Sequence, residues 1–134
     1  MNKFIVVLAC FILLACNSNG DGYKKPENAL DAGREFINNS LKGRFRTAQK
    51  YMLVDSDNLF WLEKVSSKYN RMSEQEKAGF STASININEV ADVADSVTVI
   101  NYSNSYTKVA QKVKVIKRNG EWLVDFKYTF SGNL

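Results

Sequence analysis

The chain has no histidine, a single proline (Pro26) and two cysteines, Cys10 and Cys16, both within the first sixteen of its 134 residues. Beyond Cys16 there is neither an imidazole nor a thiol. That excludes from the body of the protein zinc held by His or Cys, Cys–His nucleophile pairs, imidazole general bases and disulfides. No metal ion and no cofactor is expected. Also missing is the run of about 20 apolar residues that a membrane-spanning helix needs. The longest such run, Phe4 to Ala15, has twelve. What is present suits one globular domain. The content is 45% hydrophobic and 24% charged, too apolar for a disordered polymer and too short for two ordinary domains.

Residues 1–15 have the three-part build of a secretory signal, with Lys3 as the positive start and the twelve-residue run as its apolar centre. Leu13-Leu14-Ala15-Cys16 closes it. This tetrapeptide resembles the lipobox of bacterial lipoproteins: apolar residues, a small residue, then an obligatory cysteine. The resemblance implies that the Cys16 thiol receives a diacylglyceryl group and that cleavage before Cys16 makes it the new N-terminus. Two or more acyl chains hold a protein durably on a bilayer, each buried methylene contributing about 0.8 kcal/mol. Removal of the first 15 residues leaves 119 and, since Lys3 goes with them, a net charge of +3. Residues 16–25 read as the lipidated cysteine and a polar tether rich in Asn, Ser and Gly. Its nine residues after Cys16 correspond to a root-mean-square span of about 15–18 Å. Asn17, not Asp, follows the cysteine, and there is no acidic run just beyond it. By analogy with other lipoproteins this implies the outer membrane, with the domain facing the periplasm.

Residues 26–134 form the expected domain. Leu30, Gly33, Ile37 and Leu41 recur at helical spacing, which predicts a helix from Glu27 to Lys42 with Pro26 at its opening and Gly43 as its C-terminal stop. Phe45, Ala48 and Met52 suggest a shorter helix. Asp55-Ser56-Asp57 offers N-cap oxygens to a helix carrying Leu59, Leu62, Val65, Tyr69 and Met72. Ser73 and Glu76 have capping-box spacing, predicting a last helix to Ala78 that Gly79 ends. The period then switches to two. Ala83, Ile85 and Ile87 mark one strand, and Asp92 to Asp95 a turn. Val97 to Tyr106 is a second strand, and Val109, Val113 and Val115 mark a third. Trp122, Val124, Phe126, Tyr128 and Phe130 mark a fourth. Asn119-Gly120 between the last two is a strong hairpin signal, because both residues tolerate positive φ.

Helices first and an antiparallel meander after predict an α+β fold, the helices packed on one face of a four-stranded sheet. Pro26-Glu27, Phe36, Leu41-Lys42-Gly43, Ala48 and Tyr51, with the closing hairpin Lys117 to Val124, resemble the nuclear transport factor 2-like (cystatin-like) superfamily. Within it the likeness is to small bacterial lipoprotein domains of unknown function, some formerly labelled lumazine-binding-like. The resemblance covers Pro26 to Phe130 and implies a cone in which a bent sheet wraps the helices around a cavity. That superfamily hosts enzymes, binding modules and dimerisation modules, so the fold leaves function open.

Its isomerases and cyclases place a carboxyl base in the cavity, where burial raises the pKa. Asp125 is the acid best placed for this, but it alternates with Trp122, Val124, Phe126 and Tyr128. It is therefore expected on the outer face as half of a solvated pair with Lys127. Asp55, Asp57 and Glu63 read as helix-start carboxylates, and Glu89, Asp92 and Asp95 as a solvated loop without the ligand spacing of a calcium site. Ser105-Tyr106-Thr107-Lys108 matches S-x-x-K by chance, on a strand end without companion motifs. No catalytic residue is assigned. The aromatic cluster reads mainly as core, with Tyr102, Tyr106, Phe126 and Tyr128 the candidates to line a pocket for a small apolar ligand.

Lys108, Lys112 and Lys114 are expected on one pleat face, with Val109, Val113 and Val115 on the other. They form either a solvated outer face that discourages edge pairing or a basic surface toward anionic headgroups or envelope polymers. Nucleic acid is not expected in the envelope, and a net charge of +3 is too small to argue for it. The function expected is that of a lipid-anchored, non-enzymatic ligand-binding or protein-interaction module. The alternative is a small-molecule isomerase or cyclase using a cavity carboxylate and a tyrosine. Expected partners are the bilayer through acylated Cys16, a small apolar ligand or an envelope protein, and a second copy. Val97 and Val99, alternating with Ile100 and Tyr102, put apolar residues on both faces of their strand, as a dimer through the sheet would need.

Overall fold

The computed structural model describes residues 22–132. The signal segment, Cys16 and the tether up to residue 21 lie outside the described residues, as do the last two. Four helices precede four strands: α1 (Ala29–Leu41), α2 (Phe45–Gln49), α3 (Ser56–Asn70), α4 (Glu74–Ser81), β1 (Ile85–Ala94), β2 (Val97–Asn104), β3 (Gln111–Arg118) and β4 (Glu121–Asp125). A 3-10 helix, Phe126–Phe130, follows. The strands make an antiparallel meander in the order β1-β2-β3-β4, and α1 packs across all four. The α+β arrangement read from the sequence is therefore present.

Local chemistry sets the helix ends. Asn28, not Pro26, caps α1, its side chain accepting from Asp31 N at 2.8 Å. The helix thus starts two residues later than the proline suggested, because an amide oxygen that can satisfy an orphan N–H outcompetes a residue that merely lacks one. Gly43 follows the last turn at φ 71°, the left-handed conformation that costs glycine nothing. Asp55 caps α3 and Ser73 closes a capping box with Glu76, both as expected. Gly79 does not end α4, which runs on to Ser81. Its missing side chain makes room for the Tyr106 ring, whose Cε2 would lie 2.5 Å from a methyl group placed there.

The strand bounds differ more. β1 continues to Ala94 through two bulges. Asp92 lies within it, accepting from Thr98 Oγ1 at 2.7 Å, and the turn shrinks to Asp95-Ser96. β2 stops at Asn104, whose side chain accepts from the backbone N–H groups of Tyr106 and Thr107 and so turns the chain away from the ladder. Lys108 (φ 59°) and Val109 fall in that loop, not in β3. β4 ends at Asp125 instead of running to Phe130. Beyond it Phe126 and Thr129, three apart, are the buried residues of the 3-10 turn, as its three-residue period requires. Thr129 Oγ1 donates to Lys112 O at 2.7 Å, which ties the turn to β3.

Between α1 and the sheet lie Phe36, Ile100, Val113, Val115 and Val124, all nearly or wholly buried. Gly33 permits this close approach, since a methyl group on it would stand 2.6 Å from Ile100 Cδ1. The outer edge of β4 is covered by Tyr51–Leu53, which runs parallel to it: Val124 N donates to Tyr51 O at 2.7 Å and Leu53 N to Val124 O at 2.9 Å. Among the described residues, no strand lies beside the outer edge of β1.

Candidate functional site

At the end of β4, Asp125 stands directly across from Lys114 of β3, on the sheet face opposite Val124. The outer-face expectation holds, but the solvated pair does not: Asp125 is only 6% exposed. The reason is α3. The cap at Asp55 orients the first turn so that Asn58, with no exposed surface, donates from Nδ2 to Asp125 Oδ1 at 3.1 Å and to Asp55 Oδ2 at 3.2 Å. Asn58 Oδ1 in turn accepts from Lys127 N at 2.7 Å. Lys127 Nζ lies 2.6 Å from Asp125 Oδ1 and 3.4 Å from Asp55 Oδ2, while Lys114 Nζ reaches Asp125 Oδ2 at 3.3 Å.

Charge-assisted hydrogen bonds of this kind favour the ionised form. Burial alone would push the Asp125 carboxyl up; the hydrogen bonds from Lys127, Asn58 and Lys114 outweigh it and hold the group below its ordinary value. The bond from the Asn58 backbone lowers Asp55 likewise, and the bond to Asp125 raises Lys127. Both Asp125 oxygens are engaged and the group is ionised at neutral pH. It is a fixed anion in a web of donors rather than a proton-exchanging base.

The groove above this web has a volume of about 380 Å³ and is lined by Asp57, Trp61, Lys114, Asp125, Lys127, Tyr128, Phe130 and Ser131. Its apolar wall is built by stacking: the Trp61 and Phe130 rings lie 4.1 Å apart and within 7° of parallel. Phe130 meets Phe126 edge-on, and Phe126 meets Phe36 in the core, so the wall is anchored inward. Lys114 Nζ sits 5.2 Å above the Tyr128 ring. The groove is open to solvent, with cations, carboxylates and aromatic faces side by side. It suits surface contact with a polar or amphipathic partner better than engulfment of a small molecule. Among the described residues, no three His, Cys, Asp or Glu side chains are grouped to hold a metal ion.

The four residues expected to line one pocket are dispersed. Tyr128 lines this groove. Tyr102 is buried in the sheet, its hydroxyl donating to Gln111 Oε1 at 2.9 Å, and burial pushes its pKa up. Phe126 is core. Tyr106 packs on Phe80 and Gly79 at α4. The basic trio divides as well: Lys114 belongs to the groove, Lys112 is half-buried in β3, and Lys108 lies in the β2–β3 loop. Asp57 lines the groove, whereas Glu63 is exposed on α3 and lines the second groove described below. Sequence reasoning missed Asn58, Trp61 and Phe130 as parts of the site. Asn58 stands three residues after its cap, the one local hint, but its partner Asp125 is 67 positions away.

Compared with protein families, with curated proteins and with solved structures, the chain matches none.

Proposed function

We propose that this chain is a lipid-anchored cell-envelope lipoprotein, held in the outer membrane and facing the periplasm. Its domain acts there as a non-enzymatic interaction module built on a nuclear transport factor 2-like cone. The single observation that carries the reading is Leu13-Leu14-Ala15-Cys16 at the end of a twelve-residue apolar run. The packing of α1 across a meander sheet and the bulges in β1 support the cone. Interaction is favoured over small-ligand binding because the space between α1 and the sheet is filled by Phe36, Phe126 and their neighbours, leaving recognition to the surface. The ionised, fully engaged Asp125 speaks against the isomerase or cyclase alternative, which needs a carboxyl that takes and returns a proton.

Cys16→Ser is expected to move the protein out of the membrane fraction, and intact-mass measurement of the native protein to find the diacylglyceryl adduct on a chain beginning at Cys16. Unchanged membrane retention of Cys16→Ser, or an unmodified first segment still attached, overturns the anchor. Native mass spectrometry of protein drawn from its own envelope is expected to retain a protein partner and not a small apolar ligand.

A further inference from the structure

α3 carries two unlike faces. Asn58, Leu62, Val65 and Tyr69 turn inward, while Phe60, Lys64, Ser67 and Arg71, at steps of four, three and four, are all exposed along one outer row. At the N-terminal end of that row the aromatic side chains are continuous. Phe60, 49% exposed, meets Trp61 edge-on at 5.3 Å, and Trp61 stacks on Phe130, itself 38% exposed. Lys64 Nζ lies 5.2 Å over the Phe60 ring. Farther along, Phe60, Glu63, Lys64, Ser67 and Arg71 line a second open groove of about 310 Å³. Aromatic rings beside cations on long aliphatic stems are what the headgroup boundary of a bilayer takes up, rings at the acyl margin and cationic tips among phosphates.

The chain itself limits what this face can meet. Tyr23 is seated on Tyr51 with ring centroids 5.0 Å apart, and the Lys24 backbone both donates to and accepts from the Tyr51 hydroxyl, at 2.9 and 3.1 Å. The connection from Cys16 to that fixed point is seven residues, which reach at most about 25 Å in any conformation. A domain of this size has a radius of gyration of about 13 Å. An acylated copy is therefore held with Tyr23 within about 25 Å of its lipid, less than the domain's own width, which makes the bilayer the surface most constantly within its reach.

We propose that the Phe60–Trp61–Phe130 surface, with Lys64 and Arg71 beside it, is the face that rests on the bilayer, its lipid class an anionic phospholipid. The proposal deepens the reading above and rests on acylation of Cys16. The surface orients the domain, so that the outer edge of β1, at the other side of the sheet from β4, remains available to other partners.

The two tryptophans make the test direct. The native acylated protein is reconstituted into vesicles of phosphatidylethanolamine and phosphatidylglycerol, with or without bromine on the acyl chains. Trp122→Phe leaves Trp61 as reporter and Trp61→Phe leaves Trp122. Brominated lipid is expected to quench Trp61 at least twofold more than Trp122. Phe60→Ser, at an exposed position, is expected to leave the melting temperature unchanged and to halve the quenching of Trp61. Equal quenching of the two reporters, or none, in protein whose mass confirms acylation overturns the docking face and leaves the anchor standing. Trp61 shielded from lipid in protein that sediments as a dimer means a second copy covers the patch, which also overturns it. A mass without the lipid adduct removes the anchor, and this proposal with it.

Discussion

Three donors converge on the Asp125 carboxylate, and its neutral isostere separates the contribution of charge from that of shape. Asp125→Asn keeps the volume but leaves Lys114 and Lys127 facing an uncharged amide beside the donor of Asn58. Because both lysine tips also reach water, the cost is less than for a fully buried pair. A loss of about 1–3 kcal/mol at neutral pH is expected, measured by urea denaturation. The pH dependence has a definite sign. The folded carboxyl titrates below its ordinary 3.8, so its contribution is complete above that value and drains as the pH falls through the folded one. Lys127 titrates above its ordinary 10.5, so its share is complete below 10.5 and is lost as the pH rises through the folded value. Wild-type stability is thus expected to fall at the acid end, and that fall to be shallower in Asp125→Asn. Alternation with Val124 predicted the face of this residue correctly. Its burial was not legible, since no local pattern announces an asparagine from a helix 67 positions away.

At the scale of elements, α1 and the sheet meet through Gly33. Alanine there would gain about 1 kcal/mol of helix propensity, yet its methyl group meets Ile100 Cδ1 at 2.6 Å, so this wholly buried side chain must shift within a packed core. Overpacking is expected to win, with Gly33→Ala less stable by about 1–3 kcal/mol and a lowered thermal midpoint in circular dichroism. The helix starts at Asp55 and Ser73, the end at Gly43 and the hairpin at Asn119-Gly120 were legible because each depends on a side chain or φ preference within a few residues. Gly79 misled because a small residue inside a helix and one past its end look alike in sequence; only the ring of Tyr106 tells them apart. Val124, Phe126, Tyr128 and Phe130 misled for a related reason. Alternation of apolar residues satisfies a strand, but a 3-10 turn that buries Phe126 and Thr129 serves the core and the β3 edge at once.

Across the whole molecule, order should grade from one sheet edge to the other. β3 lies between two strands with Val113 and Val115 fully buried, whereas β1 carries two bulges, an open outer edge and exposed Val90 and Val93. Amide exchange is expected to be slowest in β3 and fastest in β1, with protection differing by at least tenfold in a native-state measurement. Uniform protection across the sheet would contradict this grading. The α+β class was readable from the change of hydrophobic period after Gly79, because period reports which face of an element is buried. The groove was not, because it forms where α3, β3 and the 3-10 turn converge.

The bridge between Tyr51–Leu53 and β4 joins two segments about 70 positions apart in the chain. Until Val124 and Asp125 join them, the Tyr51 carbonyl lacks its β4 donor, and Asn58 and Lys114 lack the carboxylate they share. The fold therefore closes only when both ends of that long span are in place, and a chain cut short before β4 is expected to remain open.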